Sequence, residues 1–185
     1  MKKIVVASCL ATVGFAAQAA GFTLESPDIA PNGTIRNEQV FDGFGCTGDN
    51  VSPALEWKNA PKEARSFAVL VHDPDTPTGG SGWWHWVVIN LPPQTTGLAL
   101  GAGRSDRSAL PAGATQIATD FGGPGWGGPC PPVGDRPHRY RFTVYALKVD
   151  QLELPPGATA ALAGFLVNAN SIGRATLTGR YGRNK

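Results

Sequence analysis

The chain has 185 residues, of which 42% are hydrophobic, with 16 Lys and Arg set against 14 Asp and Glu. That length suits one globular domain with its own core and is short for two. The formal excess of +2 is Lys2 and Lys3; without them the charges balance, which argues against a nucleic-acid binder built on a basic patch. Gly (24) and Pro (16) together make about a fifth of the chain, which favours short strands joined by shaped loops over a helical bundle.

Met1-Lys2-Lys3 is a basic start, Ile4 to Ala17 is mostly apolar, and Ala17-Gln18-Ala19 fits a small-x-small cleavage pattern. The sequence therefore predicts a secretory signal peptide over residues 1–19 and a single mature domain over 20–185, exported to a bacterial periplasm. The apolar run is short for a membrane span, Cys9 comes too early for lipoprotein processing, and nothing past Ala20 is long and apolar enough for stable membrane insertion. The mature part keeps two cysteines, Cys46 and Cys130, both in Gly-rich loops. In an oxidising compartment such a pair favours one disulfide, worth ~3–4 kcal/mol in the chain-entropy model. The competing reading is a metal site with nearby histidines. Neither CxxC nor HExxH spacing is present, so no metal and no cofactor is expected.

Weak strands are predicted at Phe22–Leu24, Val40–Phe41 and Ala54–Trp57. Arg65–His72 is rich in β-branched and aromatic residues and reads as a buried strand, stopped by the two prolines of Asp73-Pro74-Asp75-Thr76-Pro77. After a Gly/Ser turn, Trp84–Leu91 is the next strand, halted at Pro92-Pro93. Residues 92–137 are mostly irregular, with a weak strand at Gln116–Thr119. A loop this long, holding Trp126, Cys130 and a double proline, is expected to be ordered and to shape a site. Arg139–Leu147 is another strong strand. One helix is expected over Ala158–Ala169 with Leu162, Phe165 and Leu166 on its apolar face, followed by a last strand over Arg174–Tyr181. The pattern predicts a mainly β fold: an antiparallel β-sandwich with a C-terminal helix packed on it.

The polar residues converge at loop mouths. Asp73 ends one strand and His85 begins its antiparallel return, so the two should be neighbours. The two-residue period points His138 and Tyr140 to one face with Phe142. If these strands share a sheet, an acid, two imidazoles and a phenol meet at one rim, walled by Pro77, Pro131 and Pro132. Such donors suit phosphate or carboxylate, and a zwitterion with phosphate beside ammonium would also satisfy Asp73. Taken singly, a histidine in a strand is structural, Asp-Pro-Asp is a turn, and Trp83, Trp84 and Trp86 are core or rim. The combination carries the reading.

DPDTP at 73–77, GWWHWVVINLP at 82–92 and GPCPPVGDRPHRYRFTVYAL at 128–147 resemble the phosphatidylethanolamine-binding protein family. FGCTGDNVSPALEW at 44–57 resembles its bacterial branch, the Raf kinase inhibitor-like proteins. The resemblance implies a Greek-key sandwich and a ligand pocket for phosphate, acetate or a phosphoethanolamine headgroup. Matched by motif, the pocket residues are Asp73, Pro77, His85, Pro131, His138 and Tyr140, with Trp83 lining the wall. Arg139 belongs to the motif, but alternation turns it away from the pocket toward salt bridges or backbone. Animal members carry two adjacent histidines where this chain has Trp84-His85, and a longer helix where this chain reads as a strand. The expected function is a binding protein for a small anionic ligand or phospholipid headgroup. The alternative is an inhibitor or signalling regulator that contacts a protein partner through surface loops. An enzyme is not expected: GGSGW at 79–83 lacks the G-x-S-x-G spacing, and no phosphate-cradling GxxxxGK[ST] loop is present.

Overall fold

The computed structural model describes residues 21–183, so the signal peptide expected at 1–19 lies outside the described residues. Five strands form the main sheet in the order β10-β9-β5-β6-β8, all antiparallel: β5 Ser66–Asp73, β6 Trp83–Leu91, β8 Thr115–Gln116, β9 His138–Leu147 and β10 Ser171–Tyr181. A smaller sheet orders β1 Thr23–Glu25, β4 Leu55–Lys58 and β7 Gly97–Leu98, and a short hairpin pairs β2 Asp42–Gly43 with β3 Cys46–Thr47. One helix, α1 Ala160–Asn170, precedes β10.

Two buried clusters follow from the period of two. Phe67, Val69 and Val71 of β5 join Phe142 and Val144 of β9 in the core that also takes Leu24, Leu55 and Trp57 from the small sheet. The intervening Ala68, Leu70, Tyr145 and Leu147 face the other way, against α1. A central strand buried on both faces carries a continuous apolar run, as FAVLV at 67–71 does.

The strong strands and the helix lie where the sequence predicts them, within two or three residues. Val40–Phe41 is not a strand: the Val40 amide closes a 3-10 turn on Asn37, and the Phe41 amide donates to the Pro129 carbonyl, so loop contacts replace a ladder. The strand at Gln116–Thr119 contracts to Thr115–Gln116, with Ala118 making only an isolated bridge to Pro124. The helix also buries a different stripe. Ala160, Ala163, Gly164 and Val167 face the sheet, while Phe165 is 69% exposed. Bulk on the sheet side decides this: a Cβ on Gly164 would stand 3.1 Å from the Trp84 ring, so the small residues take the contact. Thr159 caps the helix by accepting the Leu162 amide.

Cys46 and Cys130 form the expected disulfide across 84 residues of sequence, joining β3 to the loop before β9. Reducing it, or replacing both cysteines by serine, is expected to lower the thermal unfolding midpoint by removing roughly 4 kcal/mol of stability. An unchanged midpoint in differential scanning calorimetry would contradict this.

Candidate functional site

The site begins where β5 ends. Asp73 is only 1% exposed, and its carboxylate accepts three hydrogen bonds: from the Asp75 amide at 2.8 Å, the Thr76 hydroxyl at 2.6 Å and His138 Nδ1 at 2.7 Å. Two donors come from the following turn and one from the first residue of β9. Burying a carboxylate is tolerated only with such partners. The turn is anchored a second time by Asp75. Its carboxylate takes Arg139 Nε at 2.8 Å and Nη2 at 2.6 Å, and the Arg139 amide at 2.9 Å. The bidentate Arg139 pair, with Arg136 nearby, holds the Asp75 carboxyl well below the usual carboxylate range. Arg139 thus sits on the outer face in a structural salt bridge, as alternation predicts.

His85 reaches the site by a backbone irregularity. Val71 pairs with Trp86 and His72 with Trp84, which leaves His85 as an extra residue in β6. Strict alternation would send His85 to the helix side with Val87 and Ile89. The bulge turns it to the opposite face, where its ring meets Tyr140 edge-on at 5.1 Å, Phe121 at 5.3 Å and Trp126 at 6.3 Å. Its Nδ1 donates to the Gly127 carbonyl at 2.6 Å. A carbonyl only accepts, so the hydrogen sits on Nδ1 and the neutral ring keeps Nε2 as an acceptor. Burial pushes the His85 pKa down to about 4, against the opposing pull of the Gly127 carbonyl and Asp73. Asn50 positions the Gly127 segment by donating to the Trp126 carbonyl and accepting from the Gly128 amide.

These groups surround a cavity of about 260 Å³. Asp73, His85 and Tyr140 are among its polar groups. Pro77, Pro131 and Pro132 form one wall, and Trp83, Phe121 and Phe44 an aromatic one. Thr76, Cys130 and Arg183 complete the lining. Of the residues expected at the pocket from sequence, Asp73, Pro77, Trp83, His85, Pro131 and Tyr140 line the cavity. His138 does not: it stands behind Asp73, buried, with Nε2 3.3 Å from an Asp135 carboxylate oxygen. Burial, and then Asp73, push the Tyr140 phenol well above its ordinary value, so it is a hydrogen-bond donor at any physiological pH. A larger depression of about 990 Å³ along β4 and β7, by Trp57 and Pro92, gathers no histidine.

Sequence reasoning missed Phe44, Phe121 and Arg183. Phe44 is 69% exposed with φ at +52°, and stacks on Phe121 at 6.1 Å over the mouth. A Cβ on Gly127 would meet the Phe121 ring at 2.3 Å, so that glycine lets the ring lie against the chain. Arg183 donates from Nε to the Pro131 carbonyl at 2.6 Å and from Nη1 to the Gly45 carbonyl at 3.1 Å, which ties two loops and puts a cation in the wall. An aromatic between two glycines, in Gly43-Phe44-Gly45, was the only available signal for Phe44.

The family profile described as phosphatidylethanolamine-binding protein matches residues 25–182. The chain belongs to the phosphatidylethanolamine-binding protein family. Within it, the similarity is to the bacterial YbcL and YbhB branch. UPF0098 protein YbcL of Escherichia coli K12 is 48% identical over 181 residues, 98% of each chain, and UPF0098 protein YbhB of the same organism is 44% identical over 158 residues, 85% of this chain and 98% of YbhB. The crystal structure of E. coli YbcL superposes with a TM-score of 0.85 at 47% identity, covering 88% of this chain and 99% of that one. CT736 from Chlamydia trachomatis gives 0.72 at 31% identity over 88% and 98%.

The Asp75–Arg139 clamp has a signature in acid. A carboxyl whose pKa is lowered on folding adds stability that is present above its ordinary value of 3.8 and is lost as the pH falls below that value. Asp75→Asn should therefore lower the unfolding midpoint at neutral pH, and the gap to the parent should narrow below 3.8. Equal midpoints at neutral pH would contradict the clamp.

Proposed function

We propose that this chain is an exported binding protein whose proline-edged cavity takes a small oxyanion: phosphate, carboxylate or the phosphate of a phosphoethanolamine headgroup. The observation that carries the reading is the gathering of Asp73, His85, Tyr140 and Arg183 around one cavity of about 260 Å³. Arg183 spends two of its nitrogens on carbonyls and keeps Nη2 for an anion, and the Tyr140 hydroxyl donates beside it. The three donors on Asp73 temper its repulsion of an anion, and its charge favours an ammonium group on the same ligand. The volume suits a headgroup-sized ligand, and the aromatic mouth suits an attached apolar tail.

Binding rather than turnover fits the cavity's chemistry. Its threonine is committed to Asp73, its sulfur is in the disulfide, and its phenol is held protonated, so none of these is an activated nucleophile. Export is favoured by the predicted leader at 1–19 and by a disulfide that needs an oxidising compartment. A relative in Mycobacterium tuberculosis, 39% identical over 154 residues, carries the name "Putative lipoprotein LppC".

The test is calorimetry with phosphate, acetate and phosphoethanolamine. Tyr140→Phe keeps the shape and removes one donor, and should weaken binding about tenfold. Unchanged affinity would falsify the proposed pocket.

Proton linkage gives a second check. A neutral His85 offers only an acceptor at Nε2, so an oxyanion must bring a proton or His85 must gain one. Affinity should rise as the pH falls from about 7.5 to about 5.5. His85→Gln should flatten that rise. Without ligand the sign is opposite for folding: the depressed His85 pKa makes stability highest above 6.5 and lowers it as the pH falls toward 4.

A further inference from the structure

The outer face of the main sheet carries a concentration of positive charge that the cavity does not use. Strand alternation and the β9–β10 register place Arg139, Arg141, Thr143 and Tyr145 on that face, opposite Arg180, Thr178, Thr176 and Arg174 in turn. Arg139 is neutralised by Asp75. Arg141, Arg174 and Arg180 form no salt bridge among the described residues, whereas Arg36, Arg65, Arg104 and Arg136 each reach an aspartate. The five elements that build this face, β5, β6, β9, α1 and β10, contain a single carboxylate, Asp73, and it belongs to the cavity on the other side of the sheet. The strands and helix of this face thus bring arginines without carboxylates of their own, and Asp75, from the turn after β5, is held by Arg139.

The helix leaves part of this surface uncovered. Beside it lies a groove of about 320 Å³ lined by Arg141 and Arg174 at its two ends. Between them Thr143 and Thr176 pair across the strands with their hydroxyls 3.0 Å apart. One hydroxyl of such a pair donates to the other, which leaves the second hydrogen for a ligand. Trp84, Tyr145 and Leu70 line the rest of the groove, and His72 packs against Trp84 at a ring separation of 4.4 Å. Tyr145 and Leu70 also touch the helix-side core, so the floor is rigid.

We propose that this groove is a second anion site, which holds the phosphate group of a ligand between the guanidinium groups of Arg141 and Arg174 over the Thr143–Thr176 pair. Charge complementarity selects the occupant. A planar guanidinium matches a phosphate with two parallel hydrogen bonds, and neither Arg141 nor Arg174 has a carboxylate partner among the described residues, Asp75 being held by Arg139. Trp84 and Tyr145 give an organic substituent on the phosphate an apolar wall. A soluble phosphate ester and a lipid headgroup both present this group, and the recognition chemistry is the same. The site faces away from the proline-edged cavity and stands or falls separately from it.

The test uses the mature chain, isotope-labelled, titrated in parallel with glycerol 3-phosphate and with vesicles of phosphatidylglycerol in phosphatidylcholine. Arg141→Gln with Arg174→Gln is the variant. Both positions are exposed, so the fold is retained and is checked by the dispersion of the amide spectrum. The soluble ester is expected to shift the amides of Thr143 and Thr176 and the side-chain signals of both arginines. In the double variant those shifts vanish and the affinity measured from them falls by at least tenfold, while any shifts at His85 and Tyr140 persist. Vesicle binding that the double variant loses, without a response to the soluble ester, assigns the phosphate to lipid and also supports the site. The proposal is overturned if neither probe moves the groove signals, or if the double variant responds to both probes as the parent does. Shifts confined to His85 and Tyr140 overturn the groove and leave the cavity standing; shifts confined to the groove do the reverse.

Discussion

The buried carboxylate of Asp73 is the constraint around which the site is built. An ionised group inside a protein wall must be surrounded by donors, and here the donors are the Asp75 amide, Thr76 and His138. Meeting that demand fixes the end of β5, folds the DPDTP turn back on it and brings in the start of β9. Asp75 and Arg139 repeat the tie on the outer face. Pro77 and Tyr140, two walls of the cavity, are therefore placed by the same few hydrogen bonds. His138 serves this framework. It is a positioning residue, two positions before the Tyr140 it helps to locate.

The second requirement is the bulge in β6. A regular strand would have delivered Trp84 and Trp86 to one face and His85 to the other, with Val87 and Ile89. The extra residue lets Trp84 cover the helix side while His85 and Trp86 both point inward. The cost is a histidine buried to 3% exposure, offset by the Gly127 carbonyl and edge-on aromatic contacts. A neutral ring with one nitrogen committed and the other bare is what links the proposed oxyanion binding to proton uptake. The disulfide and Arg183 then hold the loop wall, Phe44 to Cys46 and Cys130 to Pro132, against this floor.

Much of this was legible in the sequence because the main strands are long, apolar and bounded by proline. SFAVLVHD, WWHWVVINL and HRYRFTVYAL each form within a residue or two of expectation, and their order brings Asp73, His85 and Tyr140 together. The helix was legible as an element but not in its orientation. Leu162, Phe165 and Leu166 form an apolar stripe, yet the tight seat against Trp84 selects Ala160, Ala163 and Gly164. The bulge was not legible, since nothing in WWHWVV marks which residue is left unpaired. Arg183 and Phe121 were not legible either. Arg183 is held by the carbonyls of Pro131 and Gly45, which carry no side-chain signal, and the Phe121 ring packs on Phe41, Phe44, Trp83 and His85, all distant in sequence. His138 illustrates the remaining limit: its strand position placed it at the rim, and only the Asp73 and Asp135 carboxylates show that it faces the framework.

The most direct measurement is the nitrogen NMR of the His85 ring in protein labelled at histidine, recorded with and without saturating phosphoethanolamine. A pocket for an oxyanion predicts that the Nε2 resonance moves toward the protonated or hydrogen-bonded range while Nδ1 keeps its bond to the Gly127 carbonyl. Ring resonances that stay in place while ligand is bound would show that the anion sits elsewhere, and would remove the central claim.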